Sequence, residues 1–125
     1  MNKIRLLSIE EVIEINKKFN GSGKRGDLDF LISRAKSIKL GDDLKKDLAK
    51  AASIFWYYII QNHIFTDGNK RTATETAKLL CNVNNFELDL PPNGFIYISL
   101  KIANNDINFR NLVELMYTRL RRVEK

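Results

Sequence analysis

The sequence predicts an all-α fold: a single compact helical domain over residues 1–125, with about six helices around a central apolar one. Three observations carry this. Apolar residues recur at helical spacing in one segment after another. The run Ile54-Phe55-Trp56-Tyr57-Tyr58-Ile59-Ile60 is apolar nearly all round, as a helix buried on every side must be. Strand-like alternation is sparse, and the chain shows neither an internal repeat nor a linker.

Each element follows in order. Ser8 with Glu11 three residues on forms a capping box, and Ile9, Val12 and Ile13, continued from Asn16 to Phe19, mark the first helical stripe. Asn20 to Gly26 reads as a flexible loop. A short helix follows Asp27, with Leu28, Leu31 and Ile32 turned inward. Asp42 or Asp43 starts the long central helix, on which Leu44, Leu48, Ala51, Ala52, Phe55 and Ile59 hold helical spacing. After a loop the next helix runs from Asn69 to about Asn82, with Ala73, Thr76, Ala77 and Leu80 on one face. Phe86 to Leu90 is extended and stops at Pro91-Pro92. Helices from Asn93 to Ala103 and from Asn108 to about Arg122 finish the chain, Asn108 serving as a cap. The terminal Arg119, Arg121, Arg122 and Lys125 read as cations that complement the last helix dipole.

Composition narrows the function. The net charge of +6 suits an anionic ligand or an acidic partner surface. One cysteine, Cys81, rules out an internal disulfide and fits a reducing, cytoplasmic compartment; beside Leu80 on an apolar face it reads as core and not as a nucleophile. Lys3 and Arg5 lead into an amphipathic pattern and not into an apolar leader, and Ala51 to Ile60 is too short to span a bilayer, so no membrane partner is expected. Near the basic end only Tyr117 is aromatic, so no direct nucleic-acid partner is expected either. Gly21, Gly23 and Gly26 spell a glycine-rich nucleotide motif, but a helix precedes them where a dinucleotide fold needs a strand; they read as a mobile loop. Gly23-Lys24 is followed by Arg25 where a phosphate loop needs Ser or Thr.

The chemistry concentrates between His63 and Ala73. A helix that begins near Gly68 or Asn69 leaves its first N–H groups without intrahelical partners, and with the positive end of the dipole these attract an anion. Gly68 admits a phosphate close to the backbone. Asn69 can donate a side-chain hydrogen bond, Arg71 can grip phosphate oxygens with its planar fork, and Lys70 supplies a point charge. Asp67 can hold Mg²⁺ through one carboxylate, with phosphates and water completing the shell. His63, the only histidine, can take a proton near neutral pH. Phe65 is an anchor. Residue by residue a plainer reading also stands: a structural histidine after an apolar helix, and an Asp-Gly-Asn turn that opens a solvated basic helix.

The joint pattern resembles the signature of the Fic/Doc family, H-x-F-x-[DE]-[AG]-N-x-R. His63, Phe65, Asp67, Gly68, Asn69 and Arg71 meet every fixed position. The opening Ile4 to Val12 is similar to the short strand and first helix of Doc-type proteins, and Arg25 to Ala35 to the flap that follows, so the resemblance covers nearly the whole chain.

The resemblance implies the Fic/Doc fold and a transferase that binds ATP at Gly68, Asn69, Lys70 and Arg71. His63 would be the base, Lys70 and Arg71 would complete the catalytic set, and Asp67 would hold Mg²⁺. Most of the family transfers AMP to a protein hydroxyl and continues G-N-G-R-x-x-R. Here Lys70 replaces the second glycine, and Thr74 stands where the second arginine would be. Doc-type toxins carry the same lysine, bind ATP the other way round and transfer its γ-phosphate. The resemblance therefore implies a Doc-like kinase acting on a threonine of translation elongation factor Tu and arresting translation. AMP transfer is the alternative, and a catalytically idle binding module is a second one. The self-silencing motif [ST]-x-x-x-E-[GN] is met by no glutamate of the chain. Restraint is expected from a Phd-like antitoxin of a toxin–antitoxin pair, its C-terminal segment folding on the toxin.

Overall fold

A helix apolar on all sides must be surrounded, and the rest of the chain is arranged to do that. A computed structural model describes residues 4–19, 21, 25–37 and 43–123. The helices are α1 (Ile9–Lys17), α2 (Arg25–Lys36), α3 (Leu44–Gln61), α4 (Asn69–Val83), α5 (Pro92–Ala103) and α6 (Phe109–Arg119), with short strands β1 (Phe86–Leu88) and β2 (Leu120–Arg122). α3 is the centre: α2, α4, α5 and α6 all pack on it, α4 most extensively. Small residues make that approach possible. Ala49, Ala52 and Ser53 on α3 and Ala73, Thr76 and Ala77 on α4 are all fully buried. Phe55, Trp56 and Ile59 fill the space around them.

The expected all-α architecture is present, and several boundaries differ for physical reasons. The Ser8–Glu11 capping box forms in both directions. Asp43 caps α3 by accepting from the Lys46 N–H, while the other candidate, Asp42, lies outside the described residues. α2 begins at Arg25, so Gly26 is helical and not part of the preceding loop. Its Leu28 and Leu31 are buried as expected, whereas Ile32 is half-buried and the inward third place goes to Ala35. α5 starts one residue early, because Pro92 at the first helical position has its φ preset and its missing N–H would be an orphan anyway.

The expectation of a last helix running to Arg122 is wrong. α6 ends at Arg119, and Leu120–Arg122 pairs antiparallel with Phe86–Leu88, Leu88 opposite Leu120. Pairing buries Phe86, Leu88 and Leu120 together and satisfies the edge of β1, which an extended α6 would leave open. Of the basic end only Arg119 keeps the expected place in the last turn of α6, where it complements the dipole; Arg121 and Arg122 lie beyond the helix. Arg121 binds the Asp89 carboxylate and the Arg122 guanidinium lies over the Phe86 ring; Lys125 is outside the described residues. The expected strand at the opening is also absent, since residues 4–8 are irregular. The Asn84 side chain takes a strand partner's place, accepting from the Arg5 N–H at 2.6 Å and donating to its carbonyl at 2.8 Å. Among the described residues no helix is long and apolar enough to cross a membrane.

Candidate active site

α3 ends in a left-handed residue. Asn62 is the C-cap, the His63 N–H donates to the Ile60 carbonyl at 3.3 Å, and the Ile64 N–H reaches back to Ile59 at 3.3 Å. This doubly bonded ending needs a positive φ at its turning residue, usually glycine or asparagine. Here that residue is His63, with φ +45°. The turn leaves the imidazole exposed, while Ile64 and Phe65 plunge back into the core.

The start of α4 is built as carefully. Gly68 has φ +71°, and a Cβ there would meet the Phe19 Cβ at 2.6 Å, so only glycine fits. The Asn69 amide clamps the loop, accepting from the Phe65 N–H and donating to the Phe65 carbonyl, each at 2.9 Å. The Gly68 N–H donates to Asp67 Oδ1 at 2.8 Å. The helical ladder begins with Thr72 N–H to Gly68 carbonyl at 2.8 Å. The N–H groups of Asn69, Lys70 and Arg71 thus have no acceptor inside the helix. Behind them the buried Asn16 donates to the Asp67 carbonyl at 3.0 Å and to Thr72 Oγ1 at 2.9 Å, tying α1 to the loop.

A cavity of about 630 Å³ opens over this construction. All of the residues singled out from the sequence line it: His63, Asp67, Gly68, Asn69, Lys70 and Arg71. A histidine, a carboxylate, two cations and a helix start with free N–H groups converge there, an arrangement that can bind a polyanion and remove a proton beside it. Two roles are refined. The Asn69 side chain is committed to Phe65, so its contribution beyond the backbone N–H is to hold the loop. The Arg71 guanidinium lies over the Phe19 ring at 5.8 Å, which presets it at the cavity wall.

Sequence reasoning missed the frame. Asn16 is 1% exposed on the stripe begun by Val12, and a buried amide demands partners; that polar residue on an apolar face was the available signal. Gly21, read as part of a mobile loop, packs so tightly that a Cβ would strike the Asn16 side chain and the Asp67 carbonyl. Gln61 and Asn105 also line the cavity, joined by a 2.8 Å hydrogen bond. Nothing in the local pattern announces that pair, because it depends on how α3 and α5 meet. Cys81 behaves as expected: it is fully buried, and burial pushes its thiol up to about 12.

The donor set discriminates between kinds of metal. No group of three or more His, Cys, Asp or Glu side chains gathers among the described residues, which excludes a closed protein cage there. Asp67 has Oδ1 engaged with the Gly68 N–H, and Oδ2 has no protein partner among the described residues. One exposed carboxylate beside an anion site is the protein's usual share of a Mg²⁺ shell that phosphates complete.

The family model described as the Fic/DOC family matches residues 6–81, well over half of the chain, and the chain belongs to that family. Its members are protein-modifying enzyme domains, generally transferases acting on ATP, and often sit in toxin–antitoxin modules. Neither the curated proteins nor the solved structures contain a match to this chain.

Proposed function

We propose that this chain, a single domain over residues 1–125, is a Doc-type toxin that transfers the γ-phosphate of ATP to a protein hydroxyl. The acceptor we infer is a threonine of elongation factor Tu in the cytoplasm. One observation carries the choice of reaction. Lys70 stands exposed at the cavity as the second residue of α4, at the place where the AMP-transferring pattern that this motif resembles has glycine. Four residues on, Thr74 offers no second guanidinium; its hydroxyl is bonded to the Lys70 carbonyl at 2.9 Å.

His63 takes the proton of the acceptor hydroxyl as that oxygen forms its bond to the γ-phosphorus. The bond from the γ-phosphorus to the bridging oxygen breaks, and ADP leaves with that oxygen. Free N–H groups at Asn69 to Arg71, with the Lys70 and Arg71 side chains, balance the charge on the moving phosphoryl group. Asp67 would hold Mg²⁺, which supplies further neutralisation of the phosphates when bound.

Restraint in trans belongs to the same reading. A Phd-like antitoxin would fold an acidic amphipathic segment against the α2 face, Arg25 to Ala35, and close the acceptor's path to His63. Phe30 on that helix is 51% exposed, an apolar side chain available to such a segment. The test is incubation with Mg²⁺, a bacterial elongation factor and ATP labelled at either the α- or the γ-phosphate. γ-Label on the acceptor is the expected result, lost in Lys70→Gly. α-Label with a mass gain of AMP would overturn the kinase reading in favour of AMP transfer. No label of either kind in active-site-intact protein would favour a binding module.

A further inference from the structure

α5 ends as α3 does. Asn104 is its C-cap, the Asn105 N–H donates to the Ile102 carbonyl at 3.2 Å, and the Asp106 N–H reaches back to Lys101 at 2.8 Å. The turning residue is Asn105, with φ +60°. Both endings open on the same cavity, one through His63 and the other through Asn105. Gln61, the last residue of α3, joins them: its Nε2 donates to the Ile102 carbonyl and, at 2.8 Å, to Asn105 Oδ1. We propose that Gln61 and Asn105 hold the main chain of the acceptor segment, so that its hydroxyl lies beside His63. This rests on the reading that the cavity carries transfer to a protein hydroxyl.

The hydrogen bonds fix which way both amides face. A backbone carbonyl only accepts, so the end of Gln61 that meets Ile102 is its NH₂ group. That group's second N–H goes to Asn105, whose oxygen must therefore turn toward Gln61. Two polar atoms are left over. Gln61 Oε1 and Asn105 Nδ2 have no protein partner among the described residues. One accepts and the other donates. A peptide unit carries the complementary pair, an N–H and a carbonyl, whatever its side chain. Two amides set in this way reward an extended chain and leave its sequence unread.

The same wall is unsuited to the nucleotide. α3 and α5 give the cavity no cation; Lys18, Lys70 and Arg71 come from the end of α1 and from α4. They give it no aromatic ring on which a base could stack either, and the Phe19 ring already carries the Arg71 guanidinium. Their share is Ile60, Gln61 and Ala103, with Asn105 just beyond. Gln61 precedes His63 by two positions, so a segment held here reaches the base while the phosphates keep the start of α4.

The experiment separates the two substrates. Transfer from labelled ATP to the elongation factor is measured on the intact protein, with whichever phosphate label the wild type transfers, and a KM is found for each substrate. Asn105→Gly suits the left-handed turn and removes the amide. Asn85→Gly makes the same change at a turn outside this cavity. Asn105→Gly should raise the acceptor KM about tenfold, the worth of one or two hydrogen bonds, with kcat and the ATP KM within about twofold of wild type; Asn85→Gly should move neither KM. An unmoved acceptor KM, a matching rise in the ATP KM, or an equal loss in Asn85→Gly overturns the inference and leaves the phosphate site intact. Alanine beside the acceptor threonine should combine additively with Asn105→Gly. A flanking alanine that reproduces the Asn105→Gly loss and does not add to it would mean that a side chain is read, and overturns the main-chain claim. If the wild type transfers neither label, the reading of the cavity fails and this inference with it.

Discussion

α3 and α4 both leave through a left-handed residue, to different purposes. After each C-cap the chain turns through one left-handed residue whose N–H bonds back to the helix: His63 at φ +45°, Asn85 at φ +65°. Asn85 is an ordinary choice for that turn, and its exit leads straight into β1. His63 is a less usual one: a β-carbon in this region costs roughly 1–2 kcal/mol, which a short amide can offset by bonding locally and the imidazole does not. Asn85 does not line the cavity at the start of α4, whereas His63 does. The difference teaches that the backbone motif is generic and the side chain placed on it is not: α3 turns on an imidazole that lines the cavity, α4 on an amide that does not.

The comparison breaks most visibly in rate. His63→Ala should lower transfer by ~10²–10⁴-fold, the usual share of a general base, while Asn85→Ala leaves it unchanged. Single-turnover assays on both folded variants decide this. Equal losses would mean that the turn, and not the imidazole, matters.

Next in size is the opposite wall. Gly68→Ala should destabilise the fold by about 2–4 kcal/mol, because it combines a left-handed β-carbon with a 2.6 Å approach to Phe19. Denaturant titration measures it, and a cost under about 1 kcal/mol would show that the loop can shift. Asn69→Ala removes both bonds to Phe65 and should cost ~1–3 kcal/mol, with nucleotide binding weakened because the loop is no longer fixed.

The first turn of α3 should give the smallest effect. There Tyr117 Oη donates to the capping Asp43 at 2.9 Å, and that hydrogen bond holds the Asp43 carboxyl below its ordinary 3.8. A carboxyl lowered on folding adds stability above its unfolded value and loses it as pH falls through the folded one. Tyr117→Phe should therefore narrow its Tm gap to wild type as the medium is taken below the ordinary carboxyl value of 3.8 and through the lowered one. Asp43 is exposed and Tyr117 only half-buried, so the gap should be small even at neutral pH.

Much of this was legible in the residues. The capping box at Ser8, the apolar run of α3 and the Asn108 cap each rest on neighbours in sequence, and each formed. The six candidate site residues lie within nine positions, so one loop brought them to one cavity. What stayed hidden is non-local. Whether Leu120 continues a helix or pairs with Leu88 is decided by β1, some thirty residues earlier. Asn16, Gly21 and Asn105 reach the site only through tertiary packing.

The most direct test replaces the strained residue with the one its backbone prefers. Glycine at position 63 removes the imidazole and relieves the left-handed turn at once, so His63→Gly separates catalysis from structure. Melting temperature and single-turnover transfer are measured on one preparation. The expected result is a Tm at or above wild type with transfer reduced by ~10²–10⁴-fold. A stable His63→Gly protein that still transfers within about tenfold of wild type would contradict the claim that His63 is the base.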